Sequence, residues 1–295
     1  MYLNCHTYYS LRYGTIKPEQ LLAIASENGV QTLALTDINT TSACLDIVRL
    51  SKKYKVKPVL GVDFRNKAEQ QFIVIAKNNQ GFQNINAYLS KFLHNQDLKI
   101  PERPDDVLED CFIVYPYQKG KHFELKQNEF LGITPKDLNQ LKFSKWNEHR
   151  DKLVVLKTVS FQDKKGFNTH RLLRAIANNT LLSKLPKSEE GNVNDIMLPY
   201  DELYQLYKDY PSLLKNTEQL LNTCSIHFDF ENPQPKNQKC LTANETTDYT
   251  LLEQLTYNGI SYRYGDNPDP KIFDRIKKEL DIIKQKRFVS YFLIN

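Results

Sequence analysis

Three short runs in the first 63 residues decide the fold: NCH at 4–6, LTDIN at 35–39 and GVD at 61–63. Each run lies at the end of an apolar segment short enough to be a buried strand, and each is followed by a loop or helix signal. In a β/α barrel, the side chains that perform chemistry gather at the carboxyl ends of the strands. We therefore expect His6, Asp37 and Asp63 to converge at a barrel mouth.

Strand and helix patterns alternate along the first half of the chain. Helices are predicted at 18–28, with Gly29 just past the end, and at 41–54 and 81–94. Short strands are predicted at 31–36, 58–64, 71–76, 111–115, 130–133 and 153–159. Alternation of this kind implies parallel strands joined by right-handed helical crossovers. The class is therefore α/β.

Helices replace strands from Phe167 onward. They are predicted at 170–178, 200–207, 211–224, 247–264 and 270–287, with an acidic loop at 188–195 and a proline-marked linker at 231–244. We predict one domain over 1–235, made of a barrel (1–165) and a helical return (166–230), followed by linker and helices over 236–295. The chain ends within an apolar run, which suggests a truncated protein.

The composition is that of a globular protein, with 40% hydrophobic and 25% charged residues in 295. No apolar run approaches the roughly 18 residues of a spanning helix, and the N-terminus lacks a basic region, so we expect no membrane span, no secretory signal and a cytoplasmic location. Five scattered cysteines without a CxxC pair argue against a disulfide framework and a structural zinc site.

The net charge of +5 is concentrated near the end of the chain. Residues 271–287 hold seven Lys and Arg against three Asp and Glu. A solvated charged helix explains this more simply than a nucleic-acid interface. If the helix does face nucleic acid, the candidate residues are Lys277, Lys278, Lys284, Lys286 and Arg287.

The runs at 4–11, 33–37, 59–63 and 75–82 resemble the polymerase and histidinol phosphatase (PHP) domain. More narrowly, they resemble its version at the start of bacterial DNA polymerase III alpha subunits, the C-family replicative polymerases, and segments 216–224, 248–265 and 279–294 extend the likeness. The resemblance implies a distorted (β/α)7 TIM-like barrel and a helical segment leading into the polymerase palm, with the chain truncated at the start of that palm.

Active PHP domains hold several metal ions between histidines and carboxylates, which activate water for phosphoester hydrolysis. In this sequence the resemblance maps those ligand positions onto Asn4, His6, Arg12, Asp37, Ile38, Asp63, Thr158 and Ser160. Good donors remain chiefly at His6 and Asp63, and two ligands do not make a multi-metal site. The resemblance thus implies a vestigial pocket with no catalytic residue and no cofactor of its own.

Simpler roles also exist for these side chains. His6 is expected to hydrogen-bond Asp63 or Asp37, and Asp63 to pair with Arg12. Asp37 is as suited to capping the next helix, or to bonding backbone amides in its turn, as to meeting a cation. The other five histidines have no mutual spacing that suggests ligation, so we expect surface or interface positions. No Ser-His-Asp order or GxSxG motif is present.

Taken as an alpha-subunit region, the chain is expected to be a silent scaffold. It would brace the palm and thumb, dock a proofreading exonuclease and other replisome subunits, and meet DNA through the parent polymerase, whose palm uses magnesium. An alternative is a phosphoesterase or 3′-5′ exonuclease that uses zinc or manganese with an altered ligand set. A stand-alone phosphatase of the histidinol phosphate type is disfavoured by the helices after Thr247.

Overall fold

The computed structural model describes residues 1–95, 97–104, 108–231 and 239–294. It divides into two compact units, Met1–Phe228 and Asp229–Asn295. The predicted boundary at 235/236 and half of the predicted linker over 231–244 fall on residues 232–238, outside the described residues.

The strands of the first unit form one mixed sheet in the order β7-β6-β5-β4-β3-β2-β1-β8. Their bounds are β1 Tyr2–Cys5, β2 Thr32–Leu35, β3 Lys57–Asn66, β4 Glu69–Ala76, β5 Cys111–Pro116, β6 Glu129–Ile133, β7 Leu153–Val155 and β8 Thr158–Val159. The edge strands β7 and β8 are successive parts of the stretch predicted as one strand over 153–159. Its first half pairs with β6 and its second half with β1, so this stretch closes a distorted seven-stranded barrel.

The first unit contains seven α-helices among its described residues, four between strands in the sequence and three after the last strand. They are α1 Pro18–Glu27, α2 Cys44–Tyr54, α3 Asn79–His94, α4 Leu138–Leu141, α5 Lys164–Ala177, α6 Tyr200–Leu206 and α7 Pro211–Thr223. Local signals explain their starts: α1 has proline in its first turn, and the Asn78 side chain caps α3 by accepting from Gly81 N. In the return, α7 is tied to the barrel because Thr217 Oγ1 accepts from Val155 N at 2.8 Å.

The direction of β4 differs from the expected parallel arrangement. It runs antiparallel to both β3 and β5, whereas β1, β2, β3 and β8 pair in parallel. Only residues 67–68 connect β3 to β4, with Lys67 at a positive φ of 57°. A connection of two residues permits a hairpin but not a crossover, so the reversal follows from loop length.

The second unit is helical among its described residues. Its helices are α8 Glu245–Asn258, α9 Ile260–Tyr264, α10 Pro270–Gln285 and α11 Val289–Ile294. The predicted single helix over 247–264 is divided at Gly259, a residue of low helix propensity. Asn244 and Thr247 form a capping box that starts α8. Among the residues described, no helix has the length and apolar character needed to cross a membrane.

Candidate functional site at the barrel mouth

His6 lies at the end of β1, where its backbone N–H donates to Val159 O at 2.8 Å. The imidazole is fully buried and contacts two strands' ends: Nε2 lies 3.0 Å from Asp63 Oδ2, and Nδ1 lies 2.8 Å from Ser160 Oγ. An ionised carboxylate can only accept, so Nε2 donates to Asp63, and Nδ1 shares the second hydrogen bond with the Ser160 hydroxyl. The expected contact between His6 and Asp63 is confirmed.

Asp63 is the most heavily bonded carboxylate of the site. Its Oδ2 accepts from Arg65 Nε at 3.0 Å and Nη2 at 2.7 Å, from Gln70 Nε2 at 2.8 Å, and from His6. Burial alone raises the pKa of Asp63, but the positive charge of Arg65 and the His6 hydrogen bond outweigh it and lower the pKa to about 2. Asp63 is therefore a buried anion neutralised by a buried guanidinium.

The expected pairing of Asp63 with Arg12 is wrong. The Arg12 side chain is exposed, and the residue lies in a turn with a positive φ of 58°. Arg65 pairs with Asp63 instead. Strand β3 extends two residues beyond its predicted end at Phe64, and the alternation of side chains along a strand turns residues 63 and 65 to the same face. Arg65 also stacks on the Tyr13 ring, with its guanidinium carbon 4.9 Å from the ring centroid.

Asp37, at the end of β2, holds the loop that follows β1. Its Oδ1 accepts from Thr7 N and Ser10 Oγ, each at 2.6 Å, and its Oδ2 accepts from Thr7 Oγ1 at 2.7 Å. Burial raises the pKa of Asp37 despite these hydrogen bonds. The amide that it binds belongs to another loop, so neither a cap of the next helix nor a bond within its own turn is observed.

Asn4 points to the same face of β1 as His6. Its amide donates to Thr158 Oγ1 at 3.1 Å and accepts from Thr36 Oγ1 at 2.8 Å. Ile38 forms an isolated parallel bridge with Asp63, and its N–H donates to Ser10 Oγ at 2.9 Å. The structure thus brings every predicted pocket residue except Arg12 to this end of the barrel.

The acidic loop at 188–195 covers the mouth, which the sequence pattern did not predict. Asp195 O accepts from Ser160 N at 2.8 Å and from Phe161 N at 3.1 Å. Gly191 N donates to Nε2 of His170 at 2.8 Å, while Nδ1 of that ring donates to Tyr13 O at 2.8 Å. A surface or interface position was expected for His170, but its side chain is buried inside the first unit. Burial lowers the pKa of His170 to about 4.

Ser160, His6 and Asp63 form a chain of hydrogen bonds of the kind used by serine hydrolases, although their sequence order gives no such signal. Three features oppose nucleophilic chemistry. Ser160 is fully buried, Asp63 already neutralises Arg65, and the backbone N–H groups of Ser160 and Phe161 are both used by Asp195 O. No backbone donor next to the hydroxyl is left for an oxyanion.

The arrangement does not fit a multi-metal centre. Both ring nitrogens of His6 are engaged, and Asp63 Oδ2 already receives donors from three side chains. Asp63 Oδ1 is buried and has no hydrogen-bond partner among the described residues, which leaves a single carboxylate oxygen for a cation. The described residues contain no group of three or more His, Cys, Asp or Glu side chains suited to one ion. The guanidinium of Arg65 supplies the positive charge in this pocket.

Two parts of the chain match known protein families. Residues 3–124 match the PHP domain, and residues 250–295 match the bacterial DNA polymerase III alpha NTPase domain. The PHP match covers the part of the chain that contains strands β1 to β5, whose ends carry His6, Asp37 and Asp63.

Its curated relatives narrow the assignment. The chain is 24% identical to DNA polymerase III subunit alpha of Ureaplasma parvum over 99% of its length, 23% identical to that of Bacillus subtilis over 100%, and 26% identical to that of Mycoplasma genitalium over 100%. It spans 28%, 29% and 34% of those three relatives. Over almost its whole length the chain is therefore similar to DNA polymerase III alpha subunits, and it corresponds to about a third of their length.

Proposed function

We propose that this PHP region is a catalytically silent scaffold and docking module of a bacterial replicative DNA polymerase. The observation that carries the proposal is the buried ion pair of Asp63 and Arg65, with Nη2 2.7 Å from Oδ2. A guanidinium beside the best remaining carboxylate repels any divalent ion that approaches it. The pocket retains the geometry of a barrel mouth but does not bind the metal ions that phosphoester hydrolysis requires.

The cover over the mouth supports the same proposal. A phosphoester must reach a reacting group, yet Asn4, His6, Asp63 and Ser160 are all fully buried. The loop at 188–195 bonds the backbone beside Ser160 directly. Reaction would require that loop to leave and Asp63 to exchange Arg65 for metal.

The wider role follows from the alpha-subunit assignment. In the replisome, in the cytoplasm, the module braces the palm and thumb and offers a surface to a proofreading exonuclease and other subunits. Polymerisation, with magnesium held by the palm, belongs to the parent protein and not to this fragment. DNA contact through Lys277, Lys278, Lys284, Lys286 and Arg287 of α10 and its C-terminal end is part of the same proposal.

Metal content and hydrolysis test the silent pocket. The purified chain and His6→Ala are dialysed against zinc or manganese, and their metal content is measured by mass spectrometry. We expect the two proteins to hold the same amount of metal. The unmodified chain should not cleave a chromogenic phosphodiester faster than a no-protein control. Stoichiometric metal together with hydrolysis lost in His6→Ala would establish the alternative, a metal-dependent phosphoesterase or 3′-5′ exonuclease. A primer-extension assay with the fragment should give no product, and extension would disprove the assignment of polymerisation to the parent.

A further inference from the structure

A second cluster of imidazoles lies away from the barrel mouth, and it was not expected from sequence spacing. We propose that His122 and His149 together bind one divalent transition-metal ion of the zinc and copper class. The proposal is independent of the silent-pocket proposal, because no residue of the mouth takes part in it.

Trp146 fixes the position of both histidines. Its indole is buried, and Nε1 donates to Lys121 O at 3.1 Å, which holds the residue preceding His122 against the tryptophan. The His122 ring stacks on the indole at a centroid separation of 4.6 Å and an interplanar angle of 27°. His149 follows one 3₁₀ turn later, with its N–H donating to Trp146 O at 3.0 Å. Backbone bonds to one buried residue therefore set the spacing of the two imidazoles.

The spacing is close to that of two ligands on one ion. The ring centroids of His122 and His149 are 6.0 Å apart. With metal–nitrogen distances of about 2.1 Å and a tetrahedral angle, two imidazole centroids lie about 5 Å apart. Both side chains are exposed, so a small rotation of either ring closes the difference. Imidazole nitrogens suit zinc, copper and nickel rather than magnesium or calcium.

Both rings are also available. Within the described parts of the chain, neither imidazole has a side-chain hydrogen bond or an ion pair, in contrast to His6 and His170. The adjacent cations are engaged elsewhere: Lys121 is paired with Glu102 at 3.2 Å, and Arg150 donates to Asn147 Oδ1 at 2.9 Å. No third His, Cys, Asp or Glu among the described residues completes the set, so water fills the other coordination positions.

Trp146 is the only tryptophan of the chain, which makes it a built-in reporter. Copper(II) titrated into the purified chain is expected to quench its fluorescence with a saturable, one-to-one profile, and added zinc should reverse the quenching. His122→Asn and His149→Asn should each weaken copper binding at least about ten-fold, because each removes one of two protein ligands. His94→Asn, at an exposed histidine of α3, is the matched control and should leave the midpoint unchanged.

Electron paramagnetic resonance of the copper-loaded chain separates pairwise from single-ring binding. Hyperfine coupling to two imidazole nitrogens is expected in the unmodified chain and to one in either asparagine variant. If His149→Asn shifts the quenching midpoint less than two-fold, or the spectrum of the unmodified chain contains one imidazole only, the proposed site is disproved. Thermal unfolding should be nearly unchanged in His149→Asn and only slightly lowered in His122→Asn, which loses the stack of an exposed ring on Trp146, so lost binding will not reflect lost structure.

Discussion

Arg65 donates two hydrogen bonds to a single oxygen of Asp63, at 3.0 Å from Nε and 2.7 Å from Nη2, where both side chains are buried. The negative charge of Asp63 raises the pKa of Arg65, against the effect of burial, so the pair stays ionised at any ordinary pH. Buried pairs of this kind cost desolvation on formation, yet they leave an uncompensated charge when one partner is removed. The pair therefore has measurable consequences for folding.

Replacing Arg65 with methionine should lower the free energy of unfolding by about 3–5 kcal/mol, since Asp63 loses its countercharge in a buried site. Urea unfolding followed by Trp146 fluorescence reports on this unit. Arg12→Met is the matched control, because Arg12 is exposed, and should change the stability by less than about 0.5 kcal/mol. Similar effects from both variants would contradict the assignment of the countercharge to Arg65.

Replacing Asp63 and Arg65 together should lower the free energy of unfolding by less than the sum of the two single replacements. In a cycle of Asp63→Asn, Arg65→Met and the double variant, we expect a coupling energy of at least about 1.5 kcal/mol, because each single variant leaves one charge buried alone. The same urea titrations provide all four corners. Strict additivity would mean that the two side chains do not stabilise each other.

Stability should fall between pH 6.5 and 4 because of His170. Its folded-state pKa of about 4 lies below the ordinary 6.5, so the folded chain binds this proton more weakly than the unfolded chain. The contribution is complete above pH 6.5 and is lost as pH falls toward 4, by up to about 3 kcal/mol. In His170→Asn the slope of unfolding free energy against pH should flatten over this interval. An unchanged slope would remove His170 as its source.

Gly61→Ala should destabilise the barrel by about 2–3 kcal/mol or more. A Cβ at Gly61 would lie 2.2 Å from Val74 O, a backbone atom of the neighbouring strand β4. Ser26→Ala, on the exposed side of α1, is the comparison and should be neutral or slightly stabilising. Tolerance of the alanine at 61 would show that the two strands can separate locally.

Much of the first unit follows from local patterns. Apolar runs, prolines at helix starts and the alternation of elements predict β1 to α3 because these signals act within a few residues. To predict the direction of β4, one must know that only two residues connect it to β3. To predict that the stretch at 153–159 is divided into β7 and β8, one must know that its two halves pair with different strands, β6 and β1. Long-range pairing of that kind has no local signature.

The mouth was predictable in position but not in its bonding. Strand ends placed His6, Asp37 and Asp63 correctly, whereas Arg65 was missed because the predicted strand stopped at Phe64. Alternation from Asp63 would have found it, since residues two apart on a strand share a face. The cover by residues 188–195 and the meeting of His122 with His149 depend on tertiary packing, which spacing along the chain does not encode.

The closure of the barrel by the stretch at 153–159 also orders events during synthesis. Asn4 and Thr158, which pair across the seam, are 154 residues apart. At about 5–20 residues per second, a ribosome needs roughly 8–30 s to deliver the second after the first. For that time the outer edge of β1 has no partner strand, and a nascent edge of this kind is the surface on which chaperones and misassembly compete.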